Sequence, residues 1–261
     1  EKGEEPLTKV KISGGGRCNV THNLFDPVAL SEKYPRGAKE LRAAFARFQP
    51  KDTVAWFELH GVNLKAEADG RMFPVTNSSS TIIDCLTREA KNEGVDIRLN
   101  TVITAIYVDN SKEREKFCLV DKEENNLYFD KLLVATGSNR KVWNWLEALG
   151  HTIEKPVPSL FTLHIPDPRL KDLPGLSVPS GEIRLLPKGK PQLGPILITH
   201  WGLSGPAVLR LSAWEAHSFA QCDYKANVKV NWLGEMNKEK FLSHLTAAKQ
   251  DSPAKKISTI I

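Results

Sequence analysis

The pattern of apolar and polar positions predicts helices in the first third of the chain. Apolar side chains recur at helical spacing over residues 38–48, 52–60 and 78–94. Asp52 and Ser78 stand at the start of the second and third segments, and side chains of this type cap helix N-termini. We therefore expect a largely helical region up to residue 94.

Short runs rich in β-branched and aromatic residues follow and predict strands. Asp69 and Gly70 interrupt residues 62–75, which is typical of a hairpin turn. Further strands are predicted at residues 97–99, 102–108, 116–120, 127–129 and 132–136. The last run is wholly apolar and ends at Gly137, so we expect it to be buried on both faces, as in the parallel sheet of a doubly wound domain.

The character of the sequence changes near Pro156. Prolines recur through residues 156–195 and separate short apolar runs, which favours a mainly-β module over long helices. A helical pattern begins again at Asn237. The prediction is an α/β fold in three parts: residues 1–155, an inserted mainly-β, barrel-like module at 156–233, and the start of a helical subdomain at 234–261.

Composition narrows the class of protein. The 261 residues are 41% hydrophobic and 26% charged, as in globular proteins, and no apolar run approaches the roughly 20 residues that span a bilayer. The net charge of +5 is dispersed, so we expect neither a nucleic-acid partner nor a membrane partner. The four cysteines lie far apart, which argues against a metal site and is typical of an intracellular protein, in the cytoplasm or an organelle.

The strongest chemical signal is a glycine loop, residues 13–19, with the sequence SGGGRCN. Consecutive glycines let a ligand approach the backbone, whose amides can bind anionic or carbonyl oxygens together with the Arg17 guanidinium. The loop fits neither the dinucleotide fingerprint, which would need glycine at Asn19, nor the P-loop. From spacing alone, a tight connecting turn explains it equally well.

A wider set of motifs resembles one flavoprotein family. Besides SGGGRCN, which is highly specific, the chain carries GRMFP at 70–74, VATG at 134–137, ALGHTI at 148–153 and THWGLSGP at 199–206. These strings are similar, in content and order, to those of bacterial and plant flavoproteins of the aminoacetone-oxidase type, the BaiN-like or YhiN-like NAD(P)/FAD-dependent oxidoreductases. The resemblance covers nearly the whole chain and implies FAD as cofactor, NAD(P)H as a candidate electron donor and a small-molecule substrate.

The resemblance also implies which residues face the cofactor. Glu1 is the acid expected to hold the adenosine ribose, and the backbone of Val102 is expected at the adenine. The loop region is expected to contact the flavin and its pyrophosphate through Lys11, Ser13, Gly14, Gly15, Gly16, Arg17, Cys18 and Asn19. Ala135, Thr136 and Gly137 are expected to close over the cofactor at a strand end.

The same resemblance implies an incomplete Rossmann-like FAD-binding domain. The family's glycine-rich dinucleotide fingerprint and its C-terminal cofactor-binding segment have no counterpart in residues 1–261, so the chain is expected to be an internal fragment. Residues 138–143 replace a longer, glycine-rich run of the family, which leaves the contacts of that loop open.

Three further side chains are candidates for chemistry. His200 could be a general acid or base because histidine titrates near neutral pH, although a turn-stabilising histidine packed against Trp201 fits the sequence better. Arg71 could face either the cofactor or solvent. Cys18 beside Arg17 could have a lowered pKa, but a disulfide-reductase mechanism would need a second cysteine at C-x-x-C spacing.

These observations predict an FAD-dependent oxidoreductase that transfers a hydride between a small organic substrate and the flavin. The alternative is a non-catalytic flavin-binding or nucleotide-binding protein, or a module that binds a partner.

Overall fold

The computed structural model describes residues 1–110 and 116–256. The chain divides into two compact units, Glu1–Glu154 and Lys155–Ile261, which are called the first and second units below. The second unit contains both residues 156–233 and residues 234–256.

A small antiparallel sheet of the first unit joins two of the motifs. Its strands are β1 (Thr21–His22), β2 (Leu64–Ala66) and β3 (Arg71–Pro74), in the order β1-β3-β2. The hairpin predicted within residues 62–75 is confirmed. Met72, Phe73 and Pro74 are buried, so the GRMFP motif supplies the centre of this sheet.

Helices make up much of the rest of the first unit. They are α1 (Thr8–Gly16), α2 (Pro27–Ser31), α3 (Ala38–Arg47), α4 (Pro50–Leu59), α5 (Ser79–Asn92) and α6 (Arg140–Ala148). The predicted helices at 38–48, 52–60 and 78–94 correspond to α3, α4 and α5. The cap of α4 is Gln49 and not Asp52, because Pro50 occupies the first helical turn and Asp52 closes a capping box from the third position.

A three-stranded meander completes the first unit. It comprises β4 (Ile103–Asp109), β5 (Lys116–Asp121) and β6 (Asn126–Phe129), all antiparallel. The strands predicted at 97–99 and 132–136 are wrong: neither segment is a strand, and the Leu133 side chain is 91% exposed. The reason is the absence of a paired neighbour, since no strand pairing of the described residues is parallel and none includes residues 132–136.

The second unit is built on one five-stranded antiparallel sheet. Its strands are β7 (Leu163–His164), β8 (Ser177–Leu185), β9 (Gln192–Thr199), β10 (Gly202–Ser204) and β11 (Val228–Asn231), in the order β11-β8-β9-β10-β7. A short 3-10 turn, Pro168–Leu170, precedes β8. Alternation along β8 and β9 buries Ile183, Leu185, Ile196 and Ile198 on one face of the sheet.

Helices α7 (Pro206–Trp214) and α8 (Ala216–Gln221) cover that buried face. Ala207, Val208 and Leu211 of α7 are fully buried against it. These helices interrupt the stretch expected to be mainly β, and Pro206 begins α7 because proline fits the first turn of a helix. The predicted helix after Asn237 is confirmed as α9 (Lys238–Asp251), with Asn237 as its cap.

No helix within residues 1–110 and 116–256 has the length and apolarity needed to cross a membrane. The same residues contain no group of three or more His, Cys, Asp or Glu side chains placed to hold a metal ion.

Candidate cofactor site

The glycine loop leaves the helical geometry of α1 at Ser13. Ser13 has a ψ of 149°, and Gly14, Gly15 and Gly16 have φ values of 56°, 69° and 83°. Glycine adopts this left-handed geometry at the lowest cost, which favours glycine at all three positions. The Cys18 amide donates a hydrogen bond to the Ser13 carbonyl at 3.0 Å and closes the loop.

The two sides of the glycine loop are packed differently. A Cβ atom on Gly14 would lie 2.8 Å from the amide nitrogen of Asn19 and 3.0 Å from Cε1 of Phe73, so protein closes that side. A Cβ on Gly15 or Gly16 would meet no atom of the described chain within 4 Å. The loop therefore presents two residues of uncovered backbone, and successive amides in such conformations form anion-binding concavities.

The Arg17 side chain points toward the β2–β3 hairpin. Its Nη1 donates to Oε1 of Glu67 at 2.5 Å, and its guanidinium carbon lies 4.0 Å from the centre of the Phe73 ring. Arg71 donates to the other oxygen of Glu67 at 3.3 Å and to Asp69 at 2.7 Å. The charges of the two guanidiniums and the two carboxylates cancel, so this cluster is not a free cationic site. Its contacts stabilise the conformation of the glycine loop.

Strand β1 fastens the glycine loop to the hairpin. The Val20 amide donates to the Met72 carbonyl at 2.9 Å, and the Asn23 amide donates to the Gly70 carbonyl at 2.9 Å. Gly70 has a φ of 85°, and a Cβ there would overlap the His22 ring. Two motifs about 50 positions apart in sequence thus form one structural element.

Lys11, Cys18 and Asn19 have different environments. The Lys11 carbonyl accepts a hydrogen bond from Ser79 Oγ at 2.8 Å, and its ammonium pairs with Glu5 at 2.8 Å. Cys18 is buried in the core, whereas Asn19 is exposed. Of these three residues, Asn19 has an exposed side chain and an amide beside Gly14.

Glu1 and Val102 are brought close together. The Thr101 amide donates to the Glu1 carbonyl at 3.0 Å, and Val102 is the next residue, 37% exposed. The Glu1 carboxylate accepts a hydrogen bond from the Gly3 amide at 2.9 Å, and this bond lowers its pKa below the ordinary value. An ionised carboxylate is the form that accepts hydrogen bonds from sugar hydroxyls.

The Ala135–Thr136–Gly137 segment is exposed and has no regular secondary structure. Gly137 has a φ of 66°, and a Cβ on it would lie 3.4 Å from Nζ of Lys9, on α1. The segment therefore passes beside the helix that carries the glycine loop.

His200 lies in the second unit, in the two-residue turn between β9 and β10. It is exposed, and its ring centre is 6.2 Å from that of Trp201. The His200 side chain makes no hydrogen bond to any residue that the structure describes.

The glycine loop and the region around Glu1 expose groups of the kinds that dinucleotide sites use. The uncovered backbone at Gly15 and Gly16 is accessible to a planar or anionic group, and the Glu1 and Val102 region is accessible to a sugar and a base. Such an arrangement can bind and orient a cofactor, and the chemistry itself then belongs to the cofactor.

Comparison with known proteins places the chain in a family. Residues 1–247 match the family model described as "HI0933-like protein Rossmann domain". The chain belongs to this family. The match confirms the resemblance to BaiN-like FAD-dependent oxidoreductases.

Curated relatives of this HI0933-like chain carry two kinds of name. It is 30% identical to the ribosomal RNA dihydrouridine synthase of Escherichia coli over 93% of its length, and 26% identical to that of Haemophilus influenzae over 100%. It is 23% identical to the 3-dehydro-bile acid delta(4,6)-reductase of Clostridium scindens over 94% of its length. The matches cover 59%, 63% and 61% of those proteins, so the chain spans about three fifths of their length.

Glu67, Phe73 and Ser79 support the loop of this HI0933-like chain but were not singled out from the sequence. Each contacts the loop region from at least 50 positions away. No local pattern marks such a partner. The GRMFP string, as a motif of the family, indicated that the hairpin is important but did not identify its contacts with the glycine loop.

Proposed function

We propose that the chain forms the cofactor-binding part of an FAD-dependent reductase. The observation that carries this proposal is the uncovered backbone of Gly15 and Gly16, held open by three consecutive left-handed glycines. Single glycines in turns of this chain, such as Gly94, also have open space beside them, whereas here two consecutive glycines do, within a motif of the family. Membership of the HI0933-like family supports FAD as the group that binds there.

Each candidate residue has a proposed role in holding FAD. The loop amides bind the flavin and pyrophosphate end, Glu1 holds the ribose, and the Val102 backbone lies at the adenine. Residues 135–137 close over the cofactor beside α1. When bound, FAD supplies hydride transfer, and NAD(P)H is the proposed electron donor. Arg17 acts indirectly, because its guanidinium is engaged by Glu67 and Phe73.

For the substrate, we propose a uracil ring in RNA. Two relatives are named ribosomal RNA dihydrouridine synthases, and forming dihydrouridine from uridine adds two hydrogens across a carbon–carbon double bond. This proposal stands against the sequence-based expectation of no nucleic-acid partner. Hydride addition to such a bond also needs a proton, and His200 remains the candidate general acid from the sequence.

A second candidate substrate is an apolar ring compound with a conjugated double bond. The relative named delta(4,6)-reductase supports this class. So does a cavity of about 410 Å³ within the second unit. Its wall is mostly aliphatic and includes Ile165, Leu170, Val178, Leu203, Val230 and Trp232. Pockets of this size and lining are typical of small-molecule sites.

Titrating FAD into folded apoprotein tests the cofactor assignment. In full-length protein, Gly15→Val should abolish FAD retention, because a β-branched residue resists positive φ and would occupy the uncovered side of the loop. His200→Ala should leave FAD bound. The matched control is Gly94→Val, since Gly94 also has positive φ, 72°, and open space around its Cβ position.

The result that would overturn the assignment is unchanged FAD affinity in Gly15→Val. Equal loss of affinity in Gly94→Val would instead indicate backbone strain alone. To separate enzyme from binding protein, reduced enzyme is incubated anaerobically with a uridine-containing RNA or with a conjugated steroid ketone. A mass gain of two hydrogens identifies the substrate, and no gain with either would favour the non-catalytic alternative.

A further inference from the structure

The positive charge of this protein belongs entirely to its second unit. The first unit has 22 Lys and Arg against 23 Asp and Glu, and the second has 14 against 8. The formal charges are therefore −1 and +6, although the chain as a whole carries +5. Charge concentrated in one unit creates a positive potential that a dispersed charge does not.

Ion pairs are unevenly distributed between the two units. Within the described residues, at least six Lys and Arg side chains of the first unit contact a carboxylate: Lys11, Arg17, Arg71, Arg88, Arg98 and Lys116. In the described part of the second unit, the pair of Arg169 with Asp167 is the one found. The excess positive charge of the second unit is therefore less compensated by local ion pairs.

Five of these cations lie along one end of the ribbon formed by β8 and β11. Lys229 is directly opposite Arg184 in the register, and beyond them the Leu186 amide donates to the Asn227 carbonyl at 2.9 Å. The loop after β8 folds back, since the Gly189 amide donates to the Leu185 carbonyl at 2.8 Å. We call this region the basic face, and it comprises Arg184, Lys188, Lys190, Lys225 and Lys229.

The basic face has little internal compensation. Like charges directly opposite on adjacent strands repel, and Nε of Arg184 is buried with no hydrogen-bond partner among the described residues. Glu182 and Asp223 are close in sequence to these cations, and the Glu215 carboxylate accepts hydrogen bonds from the Lys190 amide at 3.1 Å and from Ser218 at 2.9 Å. The five cations thus outnumber these three carboxylates.

Aromatic rings adjoin these cations. Tyr224, next to Lys225, is 46% exposed, and its ring packs edge-on against Phe161 at 5.9 Å. Nζ of Lys190 lies 6.0 Å from the centre of the Trp214 ring. A half-exposed ring beside unpaired cations can stack a base while the cations bind phosphates, which is how single-stranded nucleic acid is recognised.

We propose that the basic face binds the phosphate backbone of RNA, with Tyr224 stacking on an unpaired base. The inference rests on the proposed function insofar as RNA is the substrate there. RNA is favoured over an anionic membrane because the cations lie on a β-ribbon and its loops and not on an amphipathic helix, the element that typically enters a membrane surface.

The test measures binding of a fluorescein-labelled RNA hairpin with a uridine-rich loop to full-length protein, by anisotropy over a range of salt concentrations. The double variant Lys188→Gln/Lys190→Gln should weaken binding about tenfold. It should also reduce the slope of log K against log salt by about 0.7 to 0.9 for each phosphate that the protein no longer neutralises. Tyr224→Ala should weaken binding without changing the slope.

The matched control is Lys39→Gln/Lys51→Gln, which removes the same charge from exposed positions of the first unit. Equal losses of RNA affinity in the two double variants would overturn the proposal, because RNA binding would then depend only on the net charge of the protein. Retention on phosphatidylserine vesicles without RNA binding would overturn it in favour of a membrane contact. RNA binding at the basic face without any RNA reduction would leave this inference standing while the proposed function fails.

Discussion

The two units of this protein handle charge in opposite ways. The first carries −1 and pairs several of its cations with carboxylates, as in the Arg17, Glu67, Asp69 and Arg71 cluster. The second carries +6, and its basic face contains like charges across adjacent strands. Ion pairs in the first unit stabilise the glycine loop, whereas the cations of the basic face in the second unit are mostly exposed to solvent.

Their apolar packing differs as well. The second unit has a continuous core between one sheet face and α7, with five of its side chains fully buried. The first unit has a smaller core around Phe57 and Ile82, and it exposes Ile12 and Leu133 almost completely. The unit that carries the glycine loop is therefore the less thoroughly packed of the two.

The largest expected effect is on the core of the second unit. Leu211→Ala should lower the free energy of unfolding by about 2–5 kcal/mol, because Leu211 is fully buried and its truncation leaves a cavity. Leu59→Ala, at a side chain 82% exposed in the first unit, should change it by less than about 0.5 kcal/mol. Denaturant unfolding of both variants measures the difference, and similar losses would contradict the packing comparison.

The contribution of the Arg17–Glu67 ion pair to stability can be measured as a coupling energy. A double-mutant cycle of Arg17→Met and Glu67→Gln should give about 0.5–1 kcal/mol, since both side chains are about one third exposed and solvent screens the pair. Asp69→Asn is the control, because Asp69 contacts Arg71 and not Arg17. Additive effects of the two substitutions would show that the pair does not brace the loop.

The ion pair between Asp167 and Arg169 in the second unit should shift the titration of the Asp167 carboxyl group. Hydrogen bonds from the Arg169 side chain lower the pKa of Asp167 to about 2. Because the folded pKa lies below the ordinary value of 3.8, the stabilisation is present above about pH 4 and is lost as the pH falls toward 2. Carboxyl NMR titration of wild type and Arg169→Gln measures it, and an unshifted Asp167 in the wild type would refute the pair.

The smallest expected effect is a gain in stability. Lys229→Gln removes one of two like charges facing each other across β8 and β11, so it should stabilise the protein by about 0.2–0.5 kcal/mol at low salt, and less at high salt. Lys39→Gln in the first unit should give no such gain. Thermal unfolding at two salt concentrations provides the measurement. A loss of stability in Lys229→Gln would mean that the repulsion is compensated within the unit.

Local pattern determined much of this structure. Helical periodicity and capping residues predicted α3, α4, α5 and α9, because a helix buries one face at fixed spacing. The Asp69-Gly70 turn predicted the hairpin, and the motif strings identified the family. The roles assigned to Glu1, the glycine loop, Val102 and residues 135–137 stay predictions.

Tertiary structure decided what depends on distant partners. Residues 132–136 are as apolar as a buried strand, yet a strand forms only where another pairs with it, and sequence composition does not supply that neighbour. Arg17 lies against Glu67 and Phe73 because a sheet joins segments about 50 residues apart. The same holds for charge: the sequence determined a net +5, and only the division into two units revealed that +6 lies on one of them, since electrostatic potential depends on position in space.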